Sequence, residues 1–445
     1  MLPLAGCRWI VACAVLASLA GCATYADRSA RVRYEFGAGH LTEATEAIEK
    51  ASPRRGEKDC LELDRAMVLL AAGKPKEAEQ TLRQVRDHFD HLEQTMVGEK
   101  ALSMLTDANT EAYDGEDYEK ILVRVFLSLS NLMSDAGDAL AYSLQVGEKQ
   151  QQLIQAGVDA EGNNPKTGYS RVAVGPYLHG ALREASHTNY DDVERSCAVV
   201  CSWQPDFAYG PQDLERAKHG HHSSPGCGVL YVFTLVGVGP HKEETIEAPS
   251  TVALLIADRL ISAFGSQTLP PTIAPIKVPK LVKTQHDVGS VAVAIDGRPV
   301  GYTATITDIG AMATQQYEAV YDRIVAEAVV RRVVKKSVIF GTKKAIGVEK
   351  NSLPGFALDV VGVAWEATES ADTRCWSLLP DKIQVLRVEV PAGTHQLTLQ
   401  SFGHAGFALG HQVSQPVTIA DGRNTYVLGN FPNGNLVGNV LTNQP

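Results

Sequence analysis

From about residue 31 to residue 205 the apolar positions recur with helical spacing, among frequent Ala, Glu, Lys and Leu and few aromatics. Gly39-His40-Leu41-Thr42-Glu43-Ala44 is followed by Ile48 and Ala51; Gly73-Lys74-Pro75-Lys76-Glu77-Ala78 is followed by Leu82 and Val85. Weaker copies of this pattern begin at Ser134-Asp135-Ala136-Gly137 and at Thr188-Asn189-Tyr190-Asp191. Past Pro205 the texture changes. Residues 206–226, with Pro211, the His219-to-Ser224 run and Pro225-Gly226, read as a linker. Val229 to Val236 is a β-branched and aromatic run, hence a buried strand, and Gly237-Val238-Gly239-Pro240 turns into another ending near Pro249. A Pro-rich extended stretch, 269–282, leads to a hairpin: Val291–Ile295 alternates into Asp296-Gly297, and Val300–Ile306 returns. Asp308 then caps a long helix from Ala311 to about Phe340, and a shorter one is predicted near Phe356–Glu369. Strands at Ile383–Val390, His395–Ser401, Gln412–Ile419 and Asn424–Leu428 complete the pattern, before an Asn- and Gly-rich tail, 431–445, that reads as flexible.

Gly39 and Gly73 lie 34 residues apart, and the glycine turn between two helices resembles the tetratricopeptide repeat. Such pairs bury their faces only by stacking on neighbours, so the resemblance implies a helical solenoid with a concave peptide-docking groove. The expected fold class is therefore α+β. A tetratricopeptide-like all-α solenoid, 31–205, precedes a mixed region, 227–430, with an antiparallel β-sandwich or sheet packed by the long helix.

The start of the chain adds location. A single Arg8 and an apolar run from Trp9 to Ala20 are followed by Leu19-Ala20-Gly21-Cys22, the order of a secretory signal. That run is too short to span a bilayer. It resembles a bacterial lipoprotein signal, which implies cleavage between Gly21 and Cys22, acylation of Cys22 and a short tether, 22–30. An earlier Leu4-to-Cys7 copy has no apolar run before it. Ala23 after the cysteine resembles the signal for transfer to an outer membrane, facing the periplasm. No later segment is long and apolar enough to span. The net charge of −10 argues against nucleic-acid binding and gives no support to adhesion on anionic lipid.

Candidate chemistry is sparse. His219, His221, His222 and Cys227, with His241, Cys197 and Cys201, offer zinc-type ligands, but their spacing matches no zinc module and a solvated histidine run is the simpler reading. No cofactor is expected. The Gly-x-Gly after the first strand lacks a following helix, so it does not read as a phosphate loop, and neither a Gly-x-Ser-x-Gly elbow nor His-Glu-x-x-His occurs. In Asp372-Thr373-Arg374-Cys375-Trp376, Cys375 could be an activated thiol or a small buried hydrophobe, and Asp372, Arg374 and Trp376 could bind a ligand or brace their own loop. The lipobox-like start, the repeat-like helices, Gly237-to-Lys242 and Asp372-to-Pro380 together resemble an uncharacterised family of bacterial tetratricopeptide-containing lipoproteins. The resemblance implies architecture and location, and no activity. The expected function is a non-enzymatic, lipid-anchored envelope scaffold docking a protein or peptide; the alternative is an enzyme or a ligand- or metal-binding module in the C-terminal half.

Overall fold

The structure, a computed structural model, describes residues 24–51, 56–96, 112–158, 162–263, 269, 273–345 and 370–443. The signal segment, Cys22 and the expected helix at 356–369 lie outside them.

Helix α1 (Tyr25–Gly37) starts on a reciprocal cap: Asp27 N–H donates to Thr24 Oγ1 at 3.3 Å, and Thr24 N–H donates to Asp27 Oδ2 at 2.7 Å. This cap shortens the expected tether, since the folded body begins two residues after Cys22. Gly39, at φ +83°, turns the chain into α2 (Leu41–Lys50), and Gly73, also at φ +83°, joins α3 (Lys58–Ala71) to α4 (Pro75–Met96). Both glycines supply a left-handed backbone that a side chain would resist. The hairpin α5 (Asp117–Leu132) and α6 (Ala139–Gln155) turns through Ala136 at φ +58°; α7 (Val174–Glu184) and α8 (Tyr190–Trp203) turn through His187 and Asn189. Each of these helices packs on its neighbours in sequence. The expected linker holds a further helix, α9 (Gly210–Lys218), because Pro211 sits in a first turn that needs no N–H there.

Strand β1 (Cys227–Val236) is central to a five-stranded sheet with, in chain order, β6 (Ala304–Asp308), β7 (Lys382–Pro391), β10 (Asn424–Phe431) and β11 (Leu441–Asn443). The spatial order is β6-β7-β1-β10-β11, with β1 and β10 parallel and the other pairs antiparallel. A second sheet has the order β5-β4-β8-β9, from β4 (Val288–Ile295), β5 (Arg298–Tyr302), β8 (Gly393–Gly403) and β9 (Ala408–Ile419). The two sheets pack face to face: Leu230 and Val232 of β1, Leu386 of β7 and Val427 of β10 meet Val291, Val293, Leu397, Leu399 and Val417. The opposite face of the first sheet, with Val229, Tyr231, Phe233, Val385 and Leu428, shares one core with α3, α5 and α7. Strand β1 is covered on both sides, which accounts for its unbroken apolar run.

The resulting order of layers is helices, sheet, sheet. The helical array covers the sandwich, and the long helix α11 (Ile309–Ala345) does not. Asp308 caps it as expected, accepting from Ala311 N–H at 2.7 Å. Among the described residues, only its first turns, with Ile309, Met312 and Ala313, reach the main core. Farther along, Val325, Ala326, Val329 and Val330 pack on a helix the sequence reading lacked, α10 (Thr251–Ala263), and on the antiparallel pair of β2 (His241–Glu247) and β3 (Ile276–Val282) that flanks it in the chain.

The tail is bound rather than loose. Asn433 Nδ2 donates to Gly37 O at 2.9 Å, Asn439 Nδ2 to Ala72 O at 3.1 Å and Asn443 Nδ2 to Leu132 O at 2.5 Å. These are carbonyls at the C-terminal ends of α1, α3 and α5, which have no partner within their helices. Asn439 N–H adds a bond to Ala71 O at 2.8 Å.

Candidate functional site

The segment Ser370–Pro380 runs between the helical array and the sheets. Ala371 N–H donates to Glu244 Oε2 on β2 at 2.8 Å, and Ala26 N–H of α1 donates to Thr373 Oγ1 at 3.2 Å. Asp372 and Arg374 pair at 2.7 Å, and Arg374 also donates to Gly56 O and lies over the Tyr113 ring. Burial opposes the charge on Asp372, but Arg374 holds its carboxyl below the usual range. Trp376 is fully buried, with its ring centroid 5.3 Å from that of Phe126 on α5.

Two buried carboxylates of the array then hold the segment's backbone. Glu119 accepts from Trp376 N–H at 2.7 Å and from Tyr113 O–H. Asp64 accepts from Leu378 N–H at 2.9 Å and Ser377 O–H at 2.7 Å. Burial raises both carboxyls to about 7, outweighing these donors; the charge of Glu116 adds to the rise at Glu119. Asp372, Arg374 and Trp376 are thus spent on internal bonds and packing. Burial likewise pushes the Cys375 thiol up to about 12, the opposite of an activated nucleophile.

A second polar cluster joins the end of α7 to both β1 and β7. Glu184, with no exposed surface, accepts from Tyr231 O–H, Arg216 and Arg387. Arg387 also donates to His222 O at 2.6 Å, and a ring nitrogen of His222 meets Asn424 Oδ1 at 2.8 Å. Burial lowers the His222 pKa, so the ring is neutral at pH 7. The other candidate ligands are dispersed: His219 bonds Glu215 O, His221 faces Glu389 at 3.9 Å, and His241 pairs with Glu243. Cys197 is buried on α8 and Cys201 is partly exposed one turn on. Among the described residues no group of three or more His, Cys, Asp or Glu could hold a metal ion.

An open, polar cleft of about 580 Å³ lies between α4, α5 and α6. Buried Arg124 reaches Asp90 at 2.6 Å and buried Lys149 reaches it at 3.0 Å; Lys149 also pairs with Glu93. Burial opposes ionisation of Asp90, but Arg124 and Lys149 bring its carboxyl below the usual range. Asp87, Glu148 and Gln152 are exposed at the edge. Nothing in the sequence marked this cleft, because its residues come from three helices and read singly as solvated surface.

No family model, curated protein or solved structure matches the chain. Among the described residues no helix is long and apolar enough to cross a membrane.

Proposed function

We propose that the protein is a non-catalytic scaffold of the bacterial cell envelope, held in lipid by an acylated Cys22 and built on tetratricopeptide-like helical hairpins. The 34-residue spacing of Gly39 and Gly73, both at left-handed turns between packed helices, supports the repeat reading. Docking does not use the side facing the sheets, since Ser370–Pro380 and the tail fill it. The partner is a protein or peptide segment bearing both charge signs, and it enters the α4–α6 cleft. One observation carries this: exposed Glu148 and exposed Asp87, the latter paired with Arg86 at 2.7 Å, line the same cleft as Arg124 and Lys149, whose partners there are Asp90 and Glu93.

The test is affinity capture from envelope extract with the full-length lipoprotein, compared with an Asp87→Lys, Glu148→Lys variant of equal thermal stability. A partner retained by the parent and lost by the variant supports the reading. Capture of nothing, or of the same proteins by both forms, rejects docking at the cleft. The enzyme alternative has its named residues, Asp372, Arg374 and Trp376, committed to internal contacts.

A further inference from the structure

Where α11 leaves the main core, its inward side changes character. Met312 and Ala313 are buried against that core, and the next inward position, one turn on, is Gln316, only 3% exposed. Neither Nε2 nor Oε1 of Gln316 has a hydrogen-bond partner among the described residues. The neighbouring Gln315 is the contrast: its Oε1 accepts from Ser170 N–H at 2.7 Å and its Nε2 donates to Gly168 O at 2.8 Å. A carboxamide carries two N–H donors and an oxygen with two lone pairs. Buried with both ends unbonded, it bears the full desolvation of a donor and an acceptor.

The amide borders a cavity of about 30 Å³, lined also by Glu116 and Asp117 at the start of α5, Lys242 of β2, Tyr169, and Tyr317 of α11. Each of those side chains already has a partner. Lys242 pairs with Glu116, and Lys166 with Asp117 at 2.6 Å. Tyr169 O–H donates to Asp117 at 3.1 Å, and Tyr317 O–H donates to Pro279 O at 2.7 Å. Both carboxylates are thus matched by an ammonium group, which selects a neutral ligand over an anion or a cation. Size narrows the class further. At about 10–15 Å³ for each buried water, the cavity has room for about two.

We propose that the cavity is a site for two ordered water molecules, held by the Gln316 carboxamide, that join the first turn of α5 to β2 and α11. One water accepts from Gln316 Nε2 and the other donates to Oε1. Their remaining hydrogens are directed to the carboxylates of Glu116 and Asp117, which have lone pairs to spare. At this point the helical array meets the α10–α11 module through water rather than through apolar packing. The site is separate from the α4–α6 cleft and independent of what docks there.

Gln316→Met tests this, because it keeps the length and volume of the side chain and deletes both polar groups. Crystal structures and thermal unfolding of the full chain and of the variant are compared. The expected map of the parent has two peaks at about 2.7–3.2 Å from Gln316 Nε2 and Oε1. The variant loses at least one of them, and its midpoint falls by about 2–4 °C. A dry cavity gives the opposite sign, since deleting an unbonded amide removes a penalty and raises the midpoint. A variant as stable as the parent or more so, or a parent cavity without ordered density, overturns the proposal. So does density with oxygen distances of about 2.0–2.6 Å, which would assign the cavity to a cation. If the variant does not fold, the map of the parent decides alone.

Discussion

Replacing Trp376 with alanine removes the largest fully buried side chain between the helical array and the sheets. A buried tryptophan withdraws about 150–250 Å² from water, which at ~25 cal/mol/Å² is about 4–6 kcal/mol. One term opposes this. Trp376 Nε1–H is buried without a hydrogen-bond partner among the described residues, and such a donor costs about 1–3 kcal/mol. Truncation relieves that cost, so the net loss expected for Trp376→Ala is about 2–4 kcal/mol. Trp376→Phe separates the two effects, keeping an aromatic ring against Phe126 and deleting the orphan donor. It should stay within about 1.5 kcal/mol of the parent. Urea unfolding followed by far-ultraviolet circular dichroism measures both. A loss under about 1 kcal/mol for alanine would remove Trp376 from the joint between the modules. A phenylalanine variant as damaged as alanine would refute the assignment of the loss to ring burial.

The carboxyls of Asp64 and Glu119 are raised to about 7 in the folded protein. Their contribution to stability is therefore fully present below about pH 4 and is lost as pH rises through 7. Denaturation midpoints across that range should show a decline that the Asp64→Asn, Glu119→Gln variant lacks, on the order of 3 kcal/mol per group; parallel curves would contradict the burial of charge. Gly438 has φ +75°, and a Cβ there would meet Ala71 O at 1.9 Å, whereas Gly406, at φ +80°, has open space around it. Gly438→Ala should cost more than about 2 kcal/mol in thermal unfolding and expose the tail to protease, against about 1 kcal/mol for Gly406→Ala; equal losses would mean that the tail does not clamp the array. In thiol labelling of the native protein, Cys201 and Cys227 should react and the buried Cys60 and Cys375 should not. Labelling of Cys375 without denaturant would reopen the nucleophile reading.

The helical turns were legible because Gly39 and Gly73 must take a backbone conformation that few other residues tolerate. The Asp308 cap was legible for a similar local reason. Strand pairing was not. Alternation tells which face of Ile383–Val390 is apolar, but not that the Pro391-Ala392-Gly393 turn carries the chain from one sheet to the other. The same holds at Asp421-Gly422 and at Thr303, whose N–H bonds Val291 O in one sheet while its hydroxyl bonds Gln384 in the other. Helix α10 is apolar nearly all round, so it lacks the amphipathic stripe that marks a surface helix; its one signal was Ser250 Oγ, which accepts from Ala253 N–H. The tail, rich in Asn and Gly, reads as loose until Asn433, Asn439 and Asn443 are seen to satisfy helix-end carbonyls hundreds of residues away. At Asp372-to-Pro380 the residue types were noticed, but their burial depends on Asp64 and Glu119, which sequence alone does not connect to them.

The side of the helical array that faces the sheets is occupied by the chain's own Ser370–Pro380 segment, which makes array and sandwich one folding unit. Amide hydrogen exchange tests this most directly. The N–H groups of Trp376 and Leu378 donate only to the side chains of Glu119 and Asp64, outside any strand ladder. They should exchange as slowly as the amides of α5, through global unfolding. Rapid exchange at Trp376 and Leu378 while α5 stays protected would mean that array and sandwich unfold separately.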